Sequence, residues 1–350
     1  MTDSSDEKDF SLAAGFDTPP TDILGREECA LDVVALRALL EQMASDPASE
    51  ACEPDTDEPL GRLGDSFADD DVLRVYGDVN TDGGAACETL VVAFSGVSPG
   101  VAGVSRHEFV GVCGRSAGEV GGGAVAMLFI RDPSQSWYLR SGSEAGDDGA
   151  FTAVLQIVRR EIALLCPKRI VTIGASMGGY AAVRAALMLG ATAALAFGPQ
   201  IFISPVERTA LGLPHMFFDD TLHVLRPLCD AAGVQMESLT SIAPRCRTGQ
   251  PQPLVLELHL GGDCSGDVKE AALLREALCP HASPRAAATH STGGQGAAPV
   301  GCPEGGAART RRVDVQVVVH AGLGHALAAG LRAANGLEPM LARMLALECG

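Results

Sequence analysis

Residues 168 to 190, KRIVTIGASMGGYAAVRAALMLG, constrain the fold more than any other stretch of the chain. An apolar run from Ile170 to Ile173 enters Gly174-Ala175-Ser176-Met177-Gly178-Gly179. An Ala- and Leu-rich segment with helical spacing follows and stops at Gly190. Strand, sharp turn around a serine, helix: this is the context in which G-x-S-x-G forms a nucleophile elbow. The glycines are a steric requirement. A serine at the tip of so tight a turn needs neighbours without a Cβ, so that strand and helix can approach closely.

The bare string is weak in a chain with 41 glycines, because a motif match without its context is only a hypothesis. Gly96-Val97-Ser98-Pro99-Gly100, just after the strand-like LVVAFS, also fits. Chemistry separates the two. The residue after the nucleophile must offer a backbone N–H to a developing oxyanion. Met177 offers one, and Pro99 has none. The chain after Ser98, VAGVSRHEFVGV, lacks a helical pattern, so no helix N-terminus is expected behind it.

Strand-like and helical segments alternate on both sides of this elbow. DVLRVYGDV from Asp71, Leu90 to Phe94, AVAMLFI from Ala124, ATAALAF from Ala191, PLVLELHL from Pro253 and VDVQVVVH from Val313 read as strands. Several are continuous apolar runs, as strands buried on both faces of a parallel sheet must be. Helical patterns lie between them: residues 151 to 166, the segment after Ser176, VKEAALLREAL at 268 to 278, and the C-terminal HALAAGLRAANGLEPMLARMLALE. The alternation predicts α/β architecture, a mostly parallel central sheet flanked by helices.

The 350 residues and their 47% hydrophobic content are enough for one large core with extensions. Residues 1–59 read as an acidic N-terminal extension, partly disordered, with a short helix at Ala30 to Ala44; residues 60–350 read as the α/β domain. Residues 1 to 60 hold 16 acidic and 3 basic side chains, a net −13 of the chain's −18. That acidity argues against nucleic acid and anionic membrane as partners. No apolar run is long enough for a transmembrane helix. The acidic, polar start is unlike a signal peptide, which makes the cytoplasm the expected location. The eleven cysteines include no C-x-x-C pair and read as reduced thiols. Residues 280–311 are a low-complexity Ala/Gly/Pro insertion, and residues 201–250 occupy the place of a lid.

A serine hydroxyl needs a base, and the base needs an orienting acid. His325 follows the strand VDVQVVVH through the turn AGLG and opens the last helical pattern, which puts it at the carboxyl end of the final strand. His320, at the strand end, is the weaker candidate, and His259 reads as a core histidine. The acid is expected past PLVLELHL, in Gly261-Gly262-Asp263-Cys264-Ser265-Gly266-Asp267-Val268. Spacing does not decide between Asp267, which is favoured because it immediately precedes a helical pattern, and Asp263. One of the two has the ordinary loop or capping role of Asp in such a place. The oxyanion hole would combine the N–H of Met177 with that of Ser95 or Gly96 in the loop after LVVAF. Asp132 with Arg131, and Trp137-Tyr138, read as turn capping and aromatic core packing, with a pocket wall as the alternative. No metal-ligand cluster, phosphate loop or dinucleotide fingerprint survives inspection, so no metal and no cofactor is expected. GEVGGGAVA precedes its strand instead of following one.

Together these pieces resemble the α/β-hydrolase superfamily, and more narrowly a poorly characterised group of soluble α/β-hydrolase-fold proteins with a G-x-S-x-G-G elbow. The resemblance rests on VVAFSG with HEFVGV, LFIRDPSQSWYLR, IVTIGASMGGYAA, ALAFGPQIFISPVERTALG, GDVKEAALL and HAGLGHALAAGL, across about residues 70 to 345. It implies the α/β-hydrolase fold, with Ser176 as nucleophile, Asp267 as acid and His325 as base. The acid loop departs from the pattern, being Gly-rich and carrying a second Asp. The expected activity is hydrolysis of an ester, thioester or amide in a small-molecule acyl substrate through an acyl-enzyme. The alternatives are acyl transfer by the same residues, or a non-catalytic binding or scaffold protein on the same fold.

Overall fold

Continuous apolar runs build the middle of the sheet. β2 (Thr89–Phe94), β3 (Val125–Ile130) and β5 (Ala193–Phe197) are buried at every residue. With β1 (Val72–Val75), β4 (Arg169–Ala175), β6 (Leu254–Gly261) and β7 (Val313–His320) they form a seven-stranded sheet in the order β1-β3-β2-β4-β5-β6-β7. Every neighbouring pair is parallel except β1 with β3. Only the two edges show polar or exposed positions in number, among them Arg74 on β1 and Asp314 and Gln316 on β7. This computed structural model describes residues 71–76, 79, 86–97, 107–119, 124–132, 134–139, 151–243, 253–279, 312–325, 327–333 and 336–347. The 1–59 extension with its expected helix, Ser98 with Pro99 and Gly100 of its string, residues 244–250 and the 280–311 insertion lie outside the described residues.

In chain order the described helices are α1 (Val110–Glu119), α2 (Thr152–Leu165), α3 (Met177–Leu189), α4 (Pro205–Ala210), α5 (Asp219–Ala231), α6 (Leu239–Ile242), α7 (Ser265–Leu278), α8 (Leu327–Ala333) and α9 (Leu337–Leu345). They cover both faces of the sheet because successive strand side chains point to opposite sides. On β2, Leu90, Val92 and Phe94 join Val154 of α2, Tyr180 of α3 and Leu274 of α7. Val91 and Ala93 join Val112 of α1, Leu331 of α8 and Leu341 of α9 on the other face. The result is the α/β architecture expected, with the serine turn at the end of the central strand β4. No helix among the described residues is long and apolar enough to cross a membrane.

Two local expectations change. The chain after β2 does form a helix, α1, entered through Phe109 at φ 65°. The C-terminal helical pattern is two helices, with Gly336 preceding the second. Residues 201–243, where the place of a lid is expected, hold three helices, and they are fastened to α7 by buried charge. Glu270 Oε2 accepts from the N–H of Ile201 (3.1 Å) and of Phe202 (3.2 Å). Its other oxygen pairs with Arg208, whose Nε lies 2.6 Å from Asp219 Oδ1 without hydrogen-bond alignment. Burial pushes the Glu270 carboxyl above the usual range, against the opposing pull of Arg208.

Glycine permits the close approaches at the elbow. A Cβ on Gly178 would stand 2.3 Å from the Phe94 carbonyl oxygen, and one on Gly174 would stand 2.1 Å from the Gly178 carbonyl oxygen. Both obstacles are backbone and cannot turn aside. By contrast a Cβ on Gly114, inside α1, meets nothing within 4 Å. Gly178→Ala is therefore expected to destabilise the protein by about 3 kcal/mol or more. Gly114→Ala should stabilise it by about 0.5–1 kcal/mol through helix propensity. Urea denaturation midpoints of the two variants check both signs.

Candidate active site

Ser176 precedes α3 with φ 55° and ψ −121°. A serine before a helix ordinarily caps it, its oxygen accepting from an N–H of the first turn. Ser176 makes no such bond. Its backbone is tied down instead: its N–H donates to the Phe197 carbonyl (2.8 Å), and its carbonyl accepts from Tyr180 N–H (3.1 Å). The hydroxyl is left for other partners.

Those partners are His325 and Gln200. Ser176 Oγ lies 3.0 Å from His325 Nε2, and His325 Nδ1 lies 3.0 Å from Asp267 Oδ2. An ionised carboxylate only accepts, so Nδ1 carries the proton and donates to Asp267. Nε2 is then the lone-pair nitrogen, and the Ser176 hydroxyl donates to it. The expected serine, acid and histidine are thus brought together from the ends of β4, β6 and β7. His325 is held by packing as well: the Phe217 ring meets it edge-on at 4.8 Å, and Gly198 leaves room for its ring.

Position separates the two aspartates. α7 begins at Ser265, so Asp267 lies inside its first turn and not ahead of the helix as expected. It is 1% exposed and aims at His325. Asp263 is exposed on the preceding turn. Of the other histidines, His320 Nε2 pairs with His259 Nδ1 (2.9 Å) and His259 Nε2 with Glu257 (3.2 Å), a separate, partly buried chain. The elbow string also occurs at Gly114-Arg115-Ser116-Ala117-Gly118, inside α1, where Ser116 is buried and donates to the Glu338 carbonyl (3.2 Å).

Met177 opens α3, and its N–H belongs to the first turn, whose amides have no acceptor within the helix. Of the two further donors expected, Ser95 is committed elsewhere. The pairing with β3 runs one residue past the end of β2, so Ser95 N–H donates to the Ile130 carbonyl (3.0 Å). Gly96 lies beside the serine, since a Cβ there would stand 3.6 Å from Ser176 Cβ. Its N–H donates to Glu108 Oε2 at 3.1 Å, while the Glu108 N–H donates to Ser95 Oγ at 3.0 Å. A carboxylate of the chain itself therefore occupies this amide. Burial pushes the Glu108 carboxyl above the usual range, with the Gly96 N–H and Arg332 pulling the other way.

Sequence reasoning missed Glu108 and Gln200. Gln200 is fully buried, three residues past β5, and its Nε2 donates to Ser176 Oγ at 3.1 Å. Its other end accepts from Trp137 Nε1–H at 2.5 Å. The signal for Gln200 was its place at the carboxyl end of the strand beside the elbow strand, where such sheets present chemistry. Glu108 offered no comparable signal, because its contact depends on how the loop after β2 folds back.

Among solved structures, the chain is similar to the Glycosylation Associate Protein (Gap123) complex from Streptococcus agalactiae, at 13% identity and TM-score 0.46 over 79% of this chain and 44% of that one. It is similar to the capsule O-acetyltransferase of Neisseria meningitidis serogroup A at 13% identity and TM-score 0.45, over 78% of this chain and 93% of that one. It is also similar to Thermogutta terrifontis esterase 2, solved phosphonylated by sarin, at 16% identity and TM-score 0.44, over 77% of this chain and 87% of that one. No family model matches the chain, and no curated protein does.

The raised Glu108 carboxyl has a stability consequence. The folded state holds this proton more tightly than the unfolded chain, whose value is near 4.3. The contribution is complete below that unfolded value and is lost as pH rises through the higher folded one. Glu108→Gln keeps an acceptor for Gly96 N–H and removes the ionisation. Its melting temperature should exceed that of the wild type by about 1–3 °C at pH 8. The gap should close toward pH 4. Parallel curves from calorimetry across this range would contradict the assignment.

Proposed function

We propose that this protein is a serine hydrolase that cleaves an ester, thioester or amide through an acyl-enzyme on Ser176. The observation that carries the reading is the unbroken chain of hydrogen bonds from Ser176 Oγ through both nitrogens of His325 to the buried Asp267, each link 3.0 Å. Nucleophile within reach of base, and base within reach of an orienting carboxylate, is the geometry that nucleophilic catalysis by serine requires.

On this reading His325 Nε2 takes the Ser176 proton as Oγ attacks the acyl carbon. The N–H groups of Met177 and Gly96 receive the resulting oxyanion, which requires Glu108 to swing off Gly96. His325 then gives its proton to the leaving group, and the C–X bond breaks. Water enters, loses a proton to His325 and attacks the acyl carbon, and the acid product leaves as Oγ regains its proton. Asp267 keeps Nδ1 protonated and steadies the imidazolium between these steps. An alcohol or amine in place of water would turn the same steps into acyl transfer, and product analysis with competing nucleophiles separates the two.

A fluorophosphonate probe tests the reading directly. Intact protein should be labelled on Ser176, Ser176→Ala should not be labelled, and Ser98→Ala should be labelled as the wild type is. Asp267→Asn should slow labelling by about 10³- to 10⁴-fold through the wrong His325 tautomer. Folded wild type that takes no label would overturn the hydrolase in favour of a binding protein on the same fold.

A further inference from the structure

Gln200 places a donor on the oxygen that Ser176 would use for attack, and its orientation is fixed chemically. An indole N–H only donates, so the carboxamide oxygen must face Trp137. The NH₂ end therefore faces Ser176 Oγ, at 3.1 Å. With its proton directed to His325 and a lone pair taken by Gln200, the Ser176 hydroxyl is fixed on both sides.

The loop that supplies Trp137 is built at a cost. Gln135, Trp137 and Tyr138 have φ values of 50°, 56° and 59°. Bulky side chains disfavour this left-handed region, which persists only where surroundings impose it. Here the buried Asp132 carboxylate imposes it, accepting from Ser136 N–H (2.7 Å), Ser136 Oγ–H (3.0 Å) and Tyr138 N–H (2.9 Å). Simple core packing of an indole does not require a strained loop. In this loop the strained backbone presents the indole N–H to one end of a buried amide.

We infer that Gln200 is a further catalytic residue, donating through Nε2 to the nucleophile oxygen, and that Trp137 is the positioning residue that decides which end of the amide faces it. The inference rests on the reading of Ser176 as nucleophile. As His325 draws off the proton, Oγ gains negative charge, and a hydrogen bond to it strengthens. The same bond strengthens again when Oγ leaves the acyl carbon in the second half-reaction. Gln200 thus acts on the serine oxygen, a different atom from the carbonyl oxygen served by backbone amides.

The test compares phosphonylation rates per folded molecule across pH. Gln200→Met removes the donor at similar volume. It should slow the reaction about 10- to 100-fold at saturating probe, with little change in probe affinity. Gln200→Glu is nearly isosteric and changes sign with pH. Protonated, its carboxyl donates as the amide does; ionised, it only accepts and draws the Ser176 proton away from His325. Its rate should fall as pH rises through the carboxyl's titration, where the wild-type rate rises to a plateau. Trp137→Phe should give a smaller loss with the same amide in place. On the unaltered protein, the Gln200 side-chain ¹⁵N–¹H signals should shift when Ser176 is phosphonylated, a readout independent of variant folding. Wild-type rates and pH profile in both Gln200 variants, or unmoved Gln200 signals if the variants do not fold, would overturn this inference alone. Failure of the wild type to label on Ser176 would instead overturn the hydrolase reading and this one with it.

Discussion

Ser176 holds φ 55° and ψ −121° between β4 and α3, and the rest of the site is arranged around what keeps it there. A side chain in this region costs about 1–3 kcal/mol. The surrounding backbone leaves no relaxed alternative. Gly174 and Gly178 let β4, α3 and the end of β2 approach to distances that a Cβ would forbid. The Ser176 N–H is spent on Phe197 in β5. The hydroxyl makes no capping bond and projects into the space where three loops meet.

Those loops leave the carboxyl ends of parallel strands, where side chains from separate elements converge. Each is fixed by a buried polar contact near the working residue, not at it. Glu270, one turn from Asp267 on α7, takes the N–H groups of Ile201 and Phe202 and so sets Gln200 beside them. Asp132 bends its loop to present Trp137, and Tyr138 from the same loop donates its hydroxyl to the Ser95 carbonyl at 2.7 Å. One carboxylate thereby steers the loop after β2 as well as the partner of Gln200. Buried ion pairs such as Arg208 with Glu270 add little net stability against an apolar replacement. They do specify one position for the segment they hold, and this site needs that position.

The strands were legible because burial on both faces leaves no polar residue in β2, β3 or β5 apart from Thr89. Ser176 and His325 could be picked out because each follows a strand-like run through a glycine turn. Asp267 and Asp263 could not be separated, since the start of α7 carries no capping signal: its cap is Cys264, with no side-chain cap bond. α1 was hidden for a similar reason. Gly111 and Gly114 weaken its helical pattern, and its entry through Phe109 at φ 65° breaks the periodicity. The Ser95 N–H was misjudged because sheet pairing continues past the apolar run that marks the strand. Gln200 and Glu108 reach their partners across 24 and 12 residues of chain, contacts set by loop geometry that no local spacing encodes.

Glu108 and Gln200 act on different oxygens of the proposed reaction, and the difference decides which kinetic quantity each affects. Without a substrate and without Glu108, the buried Gly96 N–H beside Ser176 would lack an acceptor, and an unmade hydrogen bond there is costly. Glu108 supplies the acceptor, while burial opposes its ionised form. Displacing it costs the same whether the incoming atom is a neutral carbonyl oxygen or the oxyanion. Such a uniform cost weakens substrate binding without slowing the bound complex. The Gln200 bond is not uniform, because its acceptor becomes charged only as the reaction proceeds. On the serine-hydrolase reading, the half-buried Glu108 therefore sets how readily the site is entered, and the buried Gln200 how fast it turns over once filled.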